Sequence, residues 1–150
     1  LKEYNQRWYI LCNTQEDFGQ SLKLRTLALD RIEHISSLQL PFVPAPEQVN
    51  GYFDEVIGIT KKEDQNHDCQ EIIIRCNPKE FKYILTKPIH PSQRSIHDKP
   101  HHIKLKLREN YELYQWLLFY GDKIEIISPE HIRCEFKKIL QRMMAMYKDR

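Results

Sequence analysis

An arginine, a tryptophan and a tyrosine stand side by side in Gln6-Arg7-Trp8-Tyr9-Ile10-Leu11-Cys12, and Arg25, Asp30 and Arg31 follow some fifteen residues on. Guanidinium groups beside aromatic faces are suited to clamping a base or a phosphate, because the ring offers a π face and the guanidinium a two-pronged donor. In an extended segment successive side chains alternate, which predicts Arg7 and Tyr9 on one face and Trp8 and Ile10 on the other. Trp8 is then expected in the core, and Tyr9 beside the arginines. The plainer alternative is that Asp30 simply pairs with one of these arginines in a turn.

Two further groupings invite a chemical reading. Ser95-Ile96-His97-Asp98-Lys99-Pro100-His101-His102 collects three histidines around an acid. The segment reads as a proline-broken loop between strands, however, and does not promise tetrahedral ligands, so no metal is expected. Around His90-Pro91-Ser92-Gln93, Pro88 and Pro91 bracket an imidazole that is followed by a hydroxyl and an amide. This is either a rigid connection held by side-chain to backbone bonds or a secondary site in which His90 and Gln93 take part. No Ser, His and Asp assemble into a triad, and the chain is expected not to be an enzyme.

Charge is distributed unevenly. Residues 75 to 109 carry nine Lys and Arg against three Asp and Glu, a local +6, whereas residues 51 to 70 are locally −3. Within the basic stretch, Ile103-Lys104-Leu105-Lys106-Leu107-Arg108 alternates, so one face is aliphatic and the other cationic. Lys104, Lys106 and Arg108 could follow a phosphate backbone, or they could be the solvated side of a strand that lysines protect from aggregation.

The 150 residues suffice for one ordinary domain or two small ones, and a 41% hydrophobic content supports a core. A formal net charge of +2 does not by itself announce a nucleic-acid binder. The four glycines stand alone, which excludes the glycine-rich phosphate loops of nucleotide-binding enzymes. The four cysteines show no C-x-x-C spacing and read as buried free thiols. No apolar run approaches bilayer length, and the start of the chain lacks a signal-peptide core, so a soluble cytoplasmic protein is expected, with no membrane partner.

These residues must be positioned by regular elements. Arg7 to Cys12 and Leu22 to Leu29 read as strands joined by a polar loop at 13 to 19, and 30 to 35 as a turn with one more strand. Pro41-Phe42-Val43-Pro44-Ala45-Pro46 predicts a semi-rigid linker over 41 to 51, dividing an N-terminal unit (1 to 40) from a second one (52 to 150). In the second, Gln70 to Cys76 reads as a central strand. Asn77-Pro78-Lys79-Glu80 opens a helix that buries Phe81, Ile84 and Leu85 and stops at Pro88. Ser92 to His97 and Ile103 to Arg108 are the next strands, and Asn110 opens a helix that ends at Gly121. Ile124, Ile126 and Ile127 form a last strand. A final helix is expected with Ser128 as cap and Pro129 in its first turn, packing through Ile132, Phe136, Ile139, Leu140, Met143 and Tyr147. The order strand, helix, strand, strand, helix, strand is that of a split β-α-β, ferredoxin-like unit with an extra C-terminal helix, an α+β fold.

"RWYIL", followed by "LRTLALDRI", resembles the WYL-domain family, with Ile10 at the third signature position; "HPSQ" and "YELYQWLLFYGDKIEIISPEHIR" resemble the family's C-terminal extension. The resemblance covers nearly the whole chain. It implies a bacterial transcriptional regulator in which an N-terminal helix-turn-helix contacts DNA, a WYL domain of Sm/SH3-like β-barrel form senses a nucleic-acid or nucleotide-like ligand, and a ferredoxin-like extension helps to form a homodimer. No cofactor is implied. Carried onto this sequence, Trp8 and Tyr9 match the signature, Arg25 opens the second motif, and Leu29, Asp30, Arg31 and Ile32 close it. The expected ligand residues are therefore Arg7, Trp8, Tyr9, Arg25, Asp30 and Arg31. Ala28 stands where many relatives have a second arginine. The family's barrel begins before Trp8, so 1 to 40 is expected to be the C-terminal part of a WYL domain, with the helix-turn-helix absent. The alternative from a different class is a structural oligomerisation module without a ligand.

Overall fold

Asn5 (φ 49°) and Gln6 (φ 62°) both adopt left-handed backbone, the handedness of the two-residue turn that matches strand twist. They fold β1 (Lys2–Tyr4) back on β2 (Arg7–Gln15), which pairs on its other side with β3 (Leu22–Ala28). The result is an open antiparallel sheet in the order β1-β2-β3, with no barrel closed among the described residues. The computed structural model describes residues 1–15, 22–37, 39, 41, 49–61 and 68–148. Of the loop expected at 13 to 19, residues 13 to 15 belong instead to β2 and the rest lies outside the described residues, as does most of the linker expected at 41 to 51. The described chain divides into two compact units, Leu1–Asp54 with Gly58–Thr60, and Glu55–Ile57 with Lys61–Arg150.

Three features of the first unit depart from expectation. β1 had no predicted counterpart. The strand expected within 30 to 35 is absent, since Leu29–Arg31 form a single 3-10 turn and 32 to 37 have no regular structure. Asp30, a residue strands disfavour, instead turns its carboxylate to Arg7. Trp8 is not a core ring: it is 50% exposed, and among the described residues no second layer covers that face of the three-stranded sheet. Tyr52 is the one residue of the unit in the buried class among those described.

The second unit follows the predicted order closely. β4 (Gln70–Cys76), α1 (Pro78–Thr86), β5 (Arg94–Ser95), β6 (His102–Leu107), α2 (Tyr111–Tyr120), β7 (Ile124–Ser128) and α3 (Glu130–Met146) succeed one another. The sheet order is β5-β6-β4-β7 with every neighbouring pair antiparallel, so each of the first two helices joins strands that lie two apart. That is the ferredoxin-like arrangement, with α3 added.

Period-two alternation explains the core. Ile72 faces Leu105 and Ile74 faces Ile103 across the β4–β6 ladder, all fully buried beside Ile84, Leu113 and Leu117 from the helices. Asn77 caps α1 by accepting from the Glu80 N–H at 2.8 Å, as its spacing foretold. Asn110 does the same for α2 through the Leu113 N–H at 2.9 Å, while its Nδ2 donates to the Ile57 carbonyl at 2.7 Å. The short 55–57 segment is thereby held to this unit, and Arg108 N–H reinforces it by donating to the Glu55 carbonyl.

Two details of α3 differ from expectation. Ser128 is the last residue of β7, paired with Ile73, rather than a helix cap. The predicted stripe also packs only in its first half: Ile132 and Phe136 are buried and Ile139 partly so, whereas Leu140, Met143 and Tyr147 are exposed. Burial along the stripe thus stops after Ile139 among the described residues.

Candidate ligand-binding surfaces

Strand register decides which of the candidate residues meet. Residues directly opposite in an antiparallel ladder share a face. Tyr4 lies opposite Arg7 and Lys2 opposite Tyr9, so one face of the first sheet carries Lys2, Tyr4, Arg7 and Tyr9 as a two-by-two patch of alternating cations and phenols. Arg7 Nε meets Asp30 Oδ2 at 3.2 Å, with both side chains about half exposed. Asp30 thus meets one arginine of the expected set from the 3-10 turn.

The opposite face holds the other half of the expected set. Cys12 pairs with Arg25 and Ile10 with Leu27, while Trp8 faces Glu3. Trp8 and Arg25 therefore share a face with each other, not with Arg7 and Tyr9. Arg31 ends the 3-10 turn and is exposed. A single clamp containing Arg7, Tyr9 and Arg25 does not form on this sheet. Lys2 and Tyr4 were missed by the sequence reading, although the Asn5-Gln6 pair between short polar-aromatic stretches is a hairpin signal in retrospect; Gln6 stands where glycine usually announces such a turn.

In the second unit, His90 and Gln93 are engaged by hydrogen bonds of the fold. His90 Nδ1 accepts from the Ser92 N–H at 3.1 Å and lies 2.8 Å from the Ser92 hydroxyl. Gln93 accepts from the Ile89 N–H at 3.2 Å and donates to the Ile84 carbonyl at 2.9 Å, tying the connection to α1. Ser92 Oγ both donates to the Lys106 carbonyl and accepts from its N–H, continuing the β6 edge with a side chain. The His-Pro-Ser-Gln stretch is a joint built of side-chain to backbone bonds.

The cationic side of β6 is partly balanced by acids from elsewhere. Lys104 pairs with Glu71 at 3.2 Å and Arg108 with Glu55 at 2.6 Å, while Lys106 is exposed. The segment's +6 is therefore not the charge its surface presents. His102 Nδ1 lies 2.8 Å from the Pro100 carbonyl, and His101 packs edge-on against Phe81. Among the described residues, no group of three or more His, Cys, Asp or Glu is placed to hold a metal ion, and no helix is long and apolar enough to cross a membrane.

A charge cluster that the sequence reading did not pick out sits at the β7 edge. Glu125 accepts from Arg75 on β4 and, at 2.9 Å, from Arg133 on α3; the same Arg133 Nη1 donates to the Ile126 carbonyl. The Arg133 bond, followed by the Arg75 charge, holds the Glu125 carboxyl below the usual carboxylate range. Nothing local in the sequence connects these three residues, because β4, β7 and α3 come together only in the folded sheet.

Among curated proteins none matches the chain. The family model described as the WCX domain matches residues 70–144, which run from the first residue of β4 almost to the end of α3 and so contain the whole ferredoxin-like sheet. The chain belongs to the WCX-domain family, a C-terminal domain of WYL-domain regulators.

Proposed function

We propose that the chain is the ligand-sensing and dimerising portion of a bacterial WYL-type transcriptional regulator, acting in the cytoplasm by binding and not by catalysis. Its ligand is a nucleic acid or nucleotide-like anion, whose occupancy controls DNA binding by an N-terminal helix-turn-helix. The observation that carries this reading is the Lys2, Tyr4, Arg7, Tyr9 patch, in which two cations alternate with two aromatic rings in register. Such interleaving suits a strand of nucleic acid, with rings stacking on bases and cations meeting phosphates. The exposed Arg7–Asp30 pair does not oppose it, since a surface ion pair contributes only about 0.2–1 kcal/mol and a phosphate can replace the carboxylate.

Fluorescence anisotropy with a labelled single-stranded oligonucleotide, repeated across salt concentrations, tests the reading. Arg7→Ala and Lys2→Ala should each weaken binding and lower the salt slope by about one phosphate contact. Arg25→Ala, on the opposite face, should leave the slope unchanged. Equal losses for Arg25→Ala and Arg7→Ala, or no salt-dependent binding at all, would refute it.

A structural oligomerisation role without ligand is favoured by a different observation, the exposed apolar end of α3 at Met144, Met146 and Tyr147. Sedimentation would then show a dimer lost in Met144→Glu while oligonucleotide has no effect on either variant.

A further inference from the structure

The edge of β7 and the flank of α3 that carries Arg133, Phe136, Lys137 and Leu140 line a cleft of about 220 Å³ that lies wholly within the second unit. Ile124, Ile126, Phe136 and Leu140 supply its apolar wall, and Arg133 and Lys137 stand with Glu125 at its polar side. We propose that this cleft binds a small amphipathic monocarboxylate, a single aromatic ring or short alkyl chain bearing one carboxylate, with Arg133 and Lys137 as its anion-holding residues.

Two properties point to that class. The first is charge. Arg133 and Glu125 satisfy each other, and Arg75 adds a second donor to Glu125, whereas Lys137, exposed on the next turn of α3, makes no ion pair among the described residues. The cleft therefore retains cationic charge that a monoanion complements. The second is donor geometry. Both bonds that tie Arg133 to the protein, to Glu125 Oε1 and to the Ile126 carbonyl, leave from Nη1. The Nε and Nη2 edge makes no hydrogen bond among the described residues, and that edge is the planar fork that takes a carboxylate through two parallel bonds. Arg133 is thus held in place by the fold while keeping its recognition edge open, a preoriented donor.

Size narrows the class further. Ligand pockets for larger molecules occupy roughly 300–1,000 Å³, so this cleft fits one ring or a short chain and not a dinucleotide or a long acyl tail. Leu140, 39% exposed, marks the end of the apolar wall, and covering it is the apolar gain that binding offers. The site shares no residue with the N-terminal patch, so either proposal can fail without the other.

The probes are benzoate and its neutral counterpart benzyl alcohol, titrated into the full chain by two-dimensional amide NMR to about 10 mM, since a ligand of so few atoms binds in the millimolar range. Benzoate should shift the amides of Ile126, Arg133, Phe136, Lys137 and Leu140 saturably, and benzyl alcohol should bind at least ~10-fold more weakly, the loss expected for one charge-assisted contact. Lys137→Glu reverses an exposed charge without touching the Arg133–Glu125 contact, and should weaken benzoate by at least ~10-fold while leaving benzyl alcohol unchanged. Leu140→Asp should weaken both. Shifts elsewhere in the sheet, equal affinities for the two probes, or an unchanged benzoate affinity in Lys137→Glu would each overturn the assignment.

Discussion

Asn110 performs two tasks with one buried side chain, and this makes its replacement quantitatively informative. Its Oδ1 caps α2 through the Leu113 N–H, and its Nδ2 satisfies the Ile57 carbonyl, in a residue 1% exposed. Loss of a side-chain cap costs about 1 kcal/mol. Leaving a buried carbonyl unpaired adds about 1–3 kcal/mol. Asn110→Ala should therefore cost about 2–4 kcal/mol as the sum of those two effects. Asn77 provides the control, because its side chain caps α1 in the same way but at an exposed position and with no second side-chain bond among the described residues, so Asn77→Ala should cost only about 1 kcal/mol. Asn110→Asp keeps an acceptor for the Leu113 N–H but turns an acceptor toward the Ile57 carbonyl, and should recover no more than the capping part. Urea unfolding followed by far-UV circular dichroism reads the helices of this unit directly, and hydrogen exchange at the Leu113 amide reports the cap. If Asn110→Ala proves no more costly than Asn77→Ala, the tether to Ile57 contributes nothing and the reasoning fails.

Three other outcomes are expected. The Glu125 carboxyl is held below its ordinary 4.5, so its contribution to stability is fully present above that value and is lost as pH falls through the lowered folded-state value. Glu125→Gln should accordingly lower the melting temperature at pH 7 and converge with the parent protein in strong acid; a difference that persists there would contradict the ion-pair account. Burial, with Glu80 nearby, pushes the Cys76 thiol up to about 11, and at neutral pH iodoacetamide should modify the exposed Cys134 well before Cys76. Mass spectrometry showing both labelled together in the folded protein would mean that Cys76 is not enclosed. Leu105, fully buried opposite Ile72, should cost about 2–5 kcal/mol when replaced by Ala, measured by chemical denaturation.

The second unit was legible because its signals are local. Asn77-Pro78 and Asn110 mark helix starts through bonds made three residues away, Gly121 takes the left-handed backbone that ends α2, and the Ile103 to Leu107 alternation places every second side chain in the core. The first unit was less so. Its missed strand, β1, is only three residues long and is joined by Asn5-Gln6, a turn without the glycine that would have declared it. The C-terminal half of α3 shows the opposite error: a continuous apolar stripe exists in the sequence, but among the described residues nothing buries it beyond Ile139.

Residue type and spacing alone fixed which side chains alternate along each strand, where α1 and α2 begin, and the order of elements that yields the ferredoxin-like sheet. Those properties depend on backbone bonds spanning a few residues. Which side chains share a face with side chains of another strand depends on register, and one pairing, Cys12 with Arg25, sends Arg25 away from Arg7 and Tyr9 while another brings Lys2 and Tyr4 to them. The meeting of Arg75, Glu125 and Arg133 likewise awaited the folded sheet. Alternation is a local consequence of the extended chain, whereas register is set by the turn and by packing between distant segments, and only the tertiary structure holds that information.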